Sequence, residues 1–151
     1  MDAKTQIPYV EKVNSRYLET LIGYNARRAA LAIIGVFMER MRVHDLRTVD
    51  FSVLSLIVHN PGITSRQLCA SLGLQASNLV GMISSMEKRF LIHRLPHPLD
   101  GRATGLHPTA EGLAMMRSAE KTAAQLEVET ATRLSPEERK TLITLLKKVY
   151  K

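Results

Sequence analysis

The chain has 151 residues, 45% of them hydrophobic and 23% charged, enough for one globular domain or two small intertwined lobes. Lys and Arg number 21 against 14 Asp and Glu, a net charge of +7 that favours an anionic partner, a solvated basic surface being the plain alternative. A single cysteine, Cys69, excludes an intrachain disulfide framework. The longest apolar run, "AALAIIGVFM", is about half of a membrane span, and "MDAKTQIPYVEK" has no signal-peptide pattern, so a cytoplasmic protein without a membrane partner is expected.

Residues 11–42 contain no proline, and apolar positions recur at helical spacing through Val13, Tyr17, Leu21, Tyr24, Leu31, Ile34, Met38 and Met41. The pattern predicts one long helix. Its middle is apolar nearly all round, so it needs cover on several sides, including a second subunit. "VDFSVLSLIVHN" predicts a short, mostly buried helix stopped by Pro61-Gly62.

In "GITSRQLCASLGLQASNLVGMISSMEKRFLIHR", Thr64 or Ser65 caps a short helix carrying Leu68, Cys69 and Leu72 inward, and Gly73 ends it. A second helix starts near Gln75, with Leu79, Met82, Ile83 and Met86 inward at i, i+3, i+4, i+7. Two short helices about a glycine turn make a helix-turn-helix. The outward positions of the second are Ala76, Ser77, Asn78, Val80, Gly81, Ser84 and Ser85, all small or short, with charge held back to Glu87, Lys88 and Arg89. A helix entering the DNA major groove needs such residues for close approach and base-edge contacts. A helix packed on another protein surface would read the same way.

"FLIHRLP" and "ATGLH" predict two strands, with Asp100-Gly101 as the hairpin turn between them. A hairpin directly after a helix-turn-helix makes a winged helix. Pro96 and Pro98 stiffen the wing, and Arg102 falls near its tip, able to reach the adjacent minor groove. Asp100 is expected to pair with Arg102 and fix its direction. The bland reading is a surface salt bridge.

Thr109 caps a helix running to about residue 132, with Leu113, Met116, Ala119, Ala123 and Leu126 along one side. "LSPEERKTLITLLKKVY" predicts a last helix with Ser135 as cap, Pro136 at its first position, Glu138 completing a capping box, and an apolar stripe of Leu142, Leu145, Leu146 and Val149. The expected fold is mainly α with a small β-hairpin wing: a dimerisation helix in residues 1–45, a winged helix-turn-helix in 46–108, and dimerisation helices in 109–151. An obligate homodimer is expected to join residues near 8–30 and 113–150.

These segments together resemble the MarR family of transcriptional regulators. "LRTVDFSVLSLI" is similar to the family's second helix, the stretch from Thr64 to Arg94 to its helix-turn-helix, "DGRATGLHPTAEG" to its wing, and "LSPEERKTLITLLKKV" to its last helix, in order over residues 20–150. The resemblance implies a homodimer that binds palindromic operator DNA and is released by a small aromatic or phenolic effector, with Ser77, Asn78, Gly81 and Ser85 facing bases and Arg102 the minor groove. The full DNA-facing set is Ser65, Gln75, Ala76, Ser77, Asn78, Gly81, Ser85, Arg94, Asp100 and Arg102. In the family the effector cavity lies between the first two helices and the DNA-binding lobe. That points to Tyr17, Tyr24, Arg27, Arg28 and Phe51, whose rings and cations suit an aromatic carboxylate or its coenzyme A thioester; ordinary dimer contacts are the alternative. Phe90 stands where the family commonly has a helix-closing glycine, so that turn is expected to be made differently. Pro108 replaces an apolar residue, and no Arg or Lys precedes Lys88 on the base-facing helix.

No cofactor, metal or catalytic centre is expected. His93 and His97 would lie about 13 Å apart along one strand, too far to share an ion. No serine sits in a nucleophile elbow, and Cys69 reads as a core residue. A ligand-responsive, DNA-binding regulator, expected from the resemblance to be a repressor, therefore stands beside a second reading, a winged-helix module for protein contacts without specific DNA binding.

Overall fold

The computed structural model describes residues 10–130 and 132–151, the side chains of Val128 and Thr130 apart; the expected dimer contacts at residues 8 and 9 lie outside it. The elements are α1 (Arg16–Glu19), α2 (Ile22–Met41), a 3-10 turn (Arg42–His44), α3 (Thr48–His59), β1 (Ile63–Thr64), α4 (Ser65–Leu72), α5 (Ala76–Lys88), β2 (Ile92–His97), β3 (Asp100–Pro108), α6 (Ala110–Thr130) and α7 (Pro136–Tyr150). The fold is mainly α with a small antiparallel sheet, as expected.

The first helix is not continuous. Thr20 closes α1, its Oγ1 donating to the Tyr17 carbonyl at 2.7 Å, and Leu21 is extended at φ −95°, ψ 129°. Asn25 then donates to the carbonyls of Glu19 and Leu21. Local side-chain bonds from Thr and Asn compete with the helical ladder and break it. Apolar periodicity cannot register that competition.

The core lies where α3, α4, α5, the sheet and α6 converge. Val53, Leu54 and Ile57 of α3, Leu68 of α4, Leu79, Ile83 and Met86 of α5, Leu106 of β3, and Met116 and Ala119 of α6 are buried. Cys69 and Met82 are half-buried at its edge. The first half of α6 therefore shares the core of the winged helix. The apolar faces of α1, α2 and α7 stay uncovered in the single chain: Tyr17, Ile22, Leu31, Leu145 and Val149 are 76%, 76%, 51%, 53% and 72% exposed.

Phe90 takes the left-handed conformation at φ 56° that a glycine would adopt, so the turn after α5 is made in the glycine's own geometry. The Leu91 N–H bonds to the Met86 carbonyl and the Phe90 N–H to that of Glu87, a Schellman closure with Met86 and Leu91 both buried. Thr109 locks the junction. Its Oγ1 donates to the Phe90 carbonyl at 2.5 Å and accepts from the Gly112 N–H at 3.0 Å. There α6 approaches so closely that a Cβ on Gly112 would stand 2.0 Å from the Leu91 carbonyl oxygen.

Candidate nucleic-acid interface

The helix-turn-helix is set by local chemistry. Thr64 caps α4 through a reciprocal box, its Oγ1 accepting from the Gln67 N–H and its N–H donating to Gln67 Oε1 at 2.9 Å. Gly73, at φ 63°, ends α4, and Gln75 is the N-cap of α5 without a side-chain cap bond. Burying Leu79, Ile83 and Met86 turns the opposite side of α5 outward. Gln75, Ala76, Ser77, Asn78, Gly81 and Ser85 are all exposed there, and a Cβ on Gly81 would meet nothing within 4 Å. Ser84, expected outward, is half-buried.

The wing is built differently from its sequence signal. The sheet order is β1-β3-β2. The tip turn is Pro98-Leu99, because His97 pairs with Asp100; Asp100-Gly101 already belongs to the returning strand. Among the described glycines only Gly62 and Gly73 have positive φ, so Gly101 does not make the left-handed turn that Asp-Gly signals. Pro98 supplies the fixed φ that suits a turn's second position. The register then jumps from His97↔Asp100 to Pro96↔Thr104. Arg102 sits in that irregularity, between Gly101 and Ala103. The Asp100 carboxylate accepts from the Arg102 backbone N–H at 3.0 Å. It steadies the main chain beneath the arginine, and no ion pair between the two side chains occurs among the described residues.

Strand β1, which periodicity missed, ties the wing to the start of α4: Ile63 pairs with Leu106 and Thr64 with Gly105. This brings α4 and the wing around a cleft of about 870 Å³ that includes Ser65, Arg66, Gln67, Arg94, His97, Asp100 and Arg102. Four expected residues, Ser65, Arg94, Asp100 and Arg102, thus share one cleft. Arg66 and Gln67 had not been singled out, and His97 had been weighed only as a metal ligand; the β1–β3 and β2–β3 pairings bring them there. Arg94 is occupied: its guanidinium holds Glu87 by two bonds, 2.8 and 3.0 Å. That hydrogen bonding keeps the Glu87 carboxyl below its usual range and raises Arg94. Arg66, Arg94 and Arg102 outnumber the Asp100 and Glu87 carboxylates by one, so the cleft keeps a positive charge.

Residues 44–103 match the model of the MarR family. The transcriptional regulator HosA of Escherichia coli O111:H- is 30% identical over 105 residues, 70% of this chain and 78% of that relative. The chain belongs to the MarR family. A transcriptional regulatory protein described for the hcr operon of Thauera aromatica is 29% identical over 131 residues, 86% of this chain and 79% of the relative. The structure of the transcriptional repressor CouR bound to a 23-mer DNA duplex is 29% identical, covers 93% of this chain and 100% of that one, and has a TM-score of 0.87. As a MarR regulator, the protein is a DNA-binding transcription factor. No described helix is long and apolar enough to cross a membrane.

The residues expected around an effector are dispersed in this MarR chain. Tyr17 on α1 and Arg27 and Arg28 on α2 are exposed, and Tyr24 is half-buried. Phe51 on α3 meets Phe37 edge-on, ring centres 5.3 Å apart. Tyr24 and Phe37 are separated by about 20 Å of helix, and Arg28 and Phe37 by about 13 Å. One chain does not gather these five residues into a single pocket.

Proposed function

We propose that the protein is a homodimeric repressor that docks two α5 helices in successive major grooves of a palindromic operator and is released by an aromatic carboxylate or its coenzyme A thioester. The observation that carries the DNA reading is the exposed, short-side-chain stripe on α5 beside the arginine-lined wing cleft. Ser77, Asn78, Gly81 and Ser85 take base edges, Gln75 and Ala76 the groove entrance, Ser65 and Arg66 the phosphates, and Arg102 the minor groove. Arg94 and Asp100 aim the wing. The likeness to CouR supports repression.

The uncovered apolar faces of α1, α2 and α7 support the dimer, because a 151-residue chain does not ordinarily leave so much contiguous apolar surface to water. Two-fold symmetry then sets the recognition helices about 34–36 Å apart. The effector is placed between α2 and α3, with Tyr17, Tyr24, Arg27 and Arg28 at one end and Phe51 at the other. Their separation favours an extended thioester, whose phosphates suit the two arginines.

Sedimentation combined with a salt titration of binding to a palindromic duplex tests this reading. It expects a dimer whose affinity falls steeply with salt. A monomer, or binding indifferent to salt, would support the protein-contact module instead.

A further inference from the structure

The structure pairs two histidines that the sequence keeps fourteen positions apart. His93 of β2 lies directly opposite His107 of β3. Their rings are stacked, with centres 5.7 Å apart and planes 25° from parallel. His93 is exposed and His107 half-buried. The His107 ring is backed by Gly62, where an added Cβ would lie 3.6 Å from it. Neither ring takes part in a hydrogen bond recorded among the described residues, so its nitrogens are not committed to the fold. Strand alternation puts Arg94 on the other face, where Glu87 holds it.

We propose that His93 and His107 form a binding site for a divalent late transition-metal ion such as Ni2+, Cu2+ or Zn2+, at the root of the wing. Neutral imidazoles are good ligands for these ions. An ion about 2.0–2.1 Å from one nitrogen of each ring lies about 3.2 Å from each ring centre, which separates the centres by about 4.5 Å for ligands at a right angle and about 6.4 Å for opposed ones. The observed 5.7 Å lies between. Turning the nitrogens toward a shared ion requires rotation about the outer side-chain bond, a torsion with broad, shallow wells. The two imidazoles leave the remaining coordination positions to water or an exogenous ligand, since no group of three or more His, Cys, Asp or Glu suited to a metal occurs among the described residues. A bound ion would cross-link β2 to β3 beneath the bulge that carries Arg102. His93 and His97, along one strand, stand too far apart to share an ion; the cross-strand partner His107 is supplied only by the sheet register.

Calorimetric titration of the untagged full chain with Ni2+ tests the site. Wild type is expected to bind one ion per chain, and His93→Gln and His107→Gln each to weaken binding at least tenfold, with His59→Gln unchanged. Paramagnetic resonance of the Cu2+-loaded wild-type chain should show two nitrogen ligands, a readout independent of how the variants fold. Absence of saturable Ni2+ binding, retention of it by either wing variant, or a single nitrogen ligand in the copper spectrum would overturn the proposal.

Discussion

Arg94 at the base of the wing grips Glu87 near the end of α5 through two bonds of 2.8 and 3.0 Å. This fork joins the recognition helix to the hairpin that follows it. Since Arg94 stays 42% and Glu87 32% exposed, the pair is worth under about 1 kcal/mol to folding. Its larger effect is on wing direction. Glu87→Gln should change the urea midpoint little and lower operator affinity. The Glu87 carboxyl titrates lower folded than unfolded, so its contribution is full above the ordinary glutamate range and is lost as pH falls through the lowered value. The small difference between the unfolding midpoints of wild type and Glu87→Gln should be present near neutral pH and vanish in acid.

Phe90 holds φ 56° with its side chain 75% exposed, so little burial offsets the strain. The left-handed conformation costs an L-residue about 1–2 kcal/mol, and glycine's greater unfolded-state entropy returns about half of that. Phe90→Gly should stabilise the chain by about 0.5–1 kcal/mol in denaturant titration. Phe90→Val should destabilise it, because a β-branched residue tolerates that region worst.

Two glycines separate packing from recognition. Gly112→Ala sets a methyl 2.0 Å from a backbone oxygen and should cost about 3 kcal/mol or more, read as a lowered melting temperature. Gly81→Ala meets open space within a helix and should gain up to about 1 kcal/mol of stability, while crowding the groove and weakening DNA binding. Unchanged affinity would remove Gly81 from the interface.

Arg102→Ala should weaken operator binding by about 1–3 kcal/mol per wing, with the melting curve unaltered. Asp100→Ala should cost less, because Asp100 holds the Arg102 backbone and leaves its guanidinium free. Unchanged affinity in an Arg102→Ala protein of normal stability would show that the wing does not read DNA.

Arg28→Ala should abolish release by an anionic aromatic effector and spare DNA binding. An effector that prefers the DNA-free geometry by about 1.4–3 kcal/mol weakens operator affinity about 10- to 150-fold, and operator weakens effector binding equally. Calorimetry with and without duplex measures both; equal affinities would rule out the coupling.

Features governed by neighbours in the chain were legible in the sequence. The cap at Thr64 or Ser65, of which the structure uses Thr64, the Ser135–Glu138 box, Gly73 at the end of α4, and the i, i+3, i+4, i+7 stripe of α5 all act within a turn or two. They define the helix-turn-helix and its polar face, which with the wing motif were enough to suggest the family. The helix break at Thr20 is also local, but it depends on a hydroxyl choosing a backbone carbonyl, and hydrophobic spacing is blind to that. The rest required tertiary structure. The register of β2 against β3 moved the wing turn to Pro98-Leu99, and pairing of β1 with β3 brought Arg66 and Arg102 to one cleft. The same sheet set His107 opposite His93, and closure of the wing onto α5 gave Arg94 to Glu87. Each of these links is a contact between separate elements, decided by which strand edges and side chains meet once the common core of α3, α4, α5 and α6 is packed.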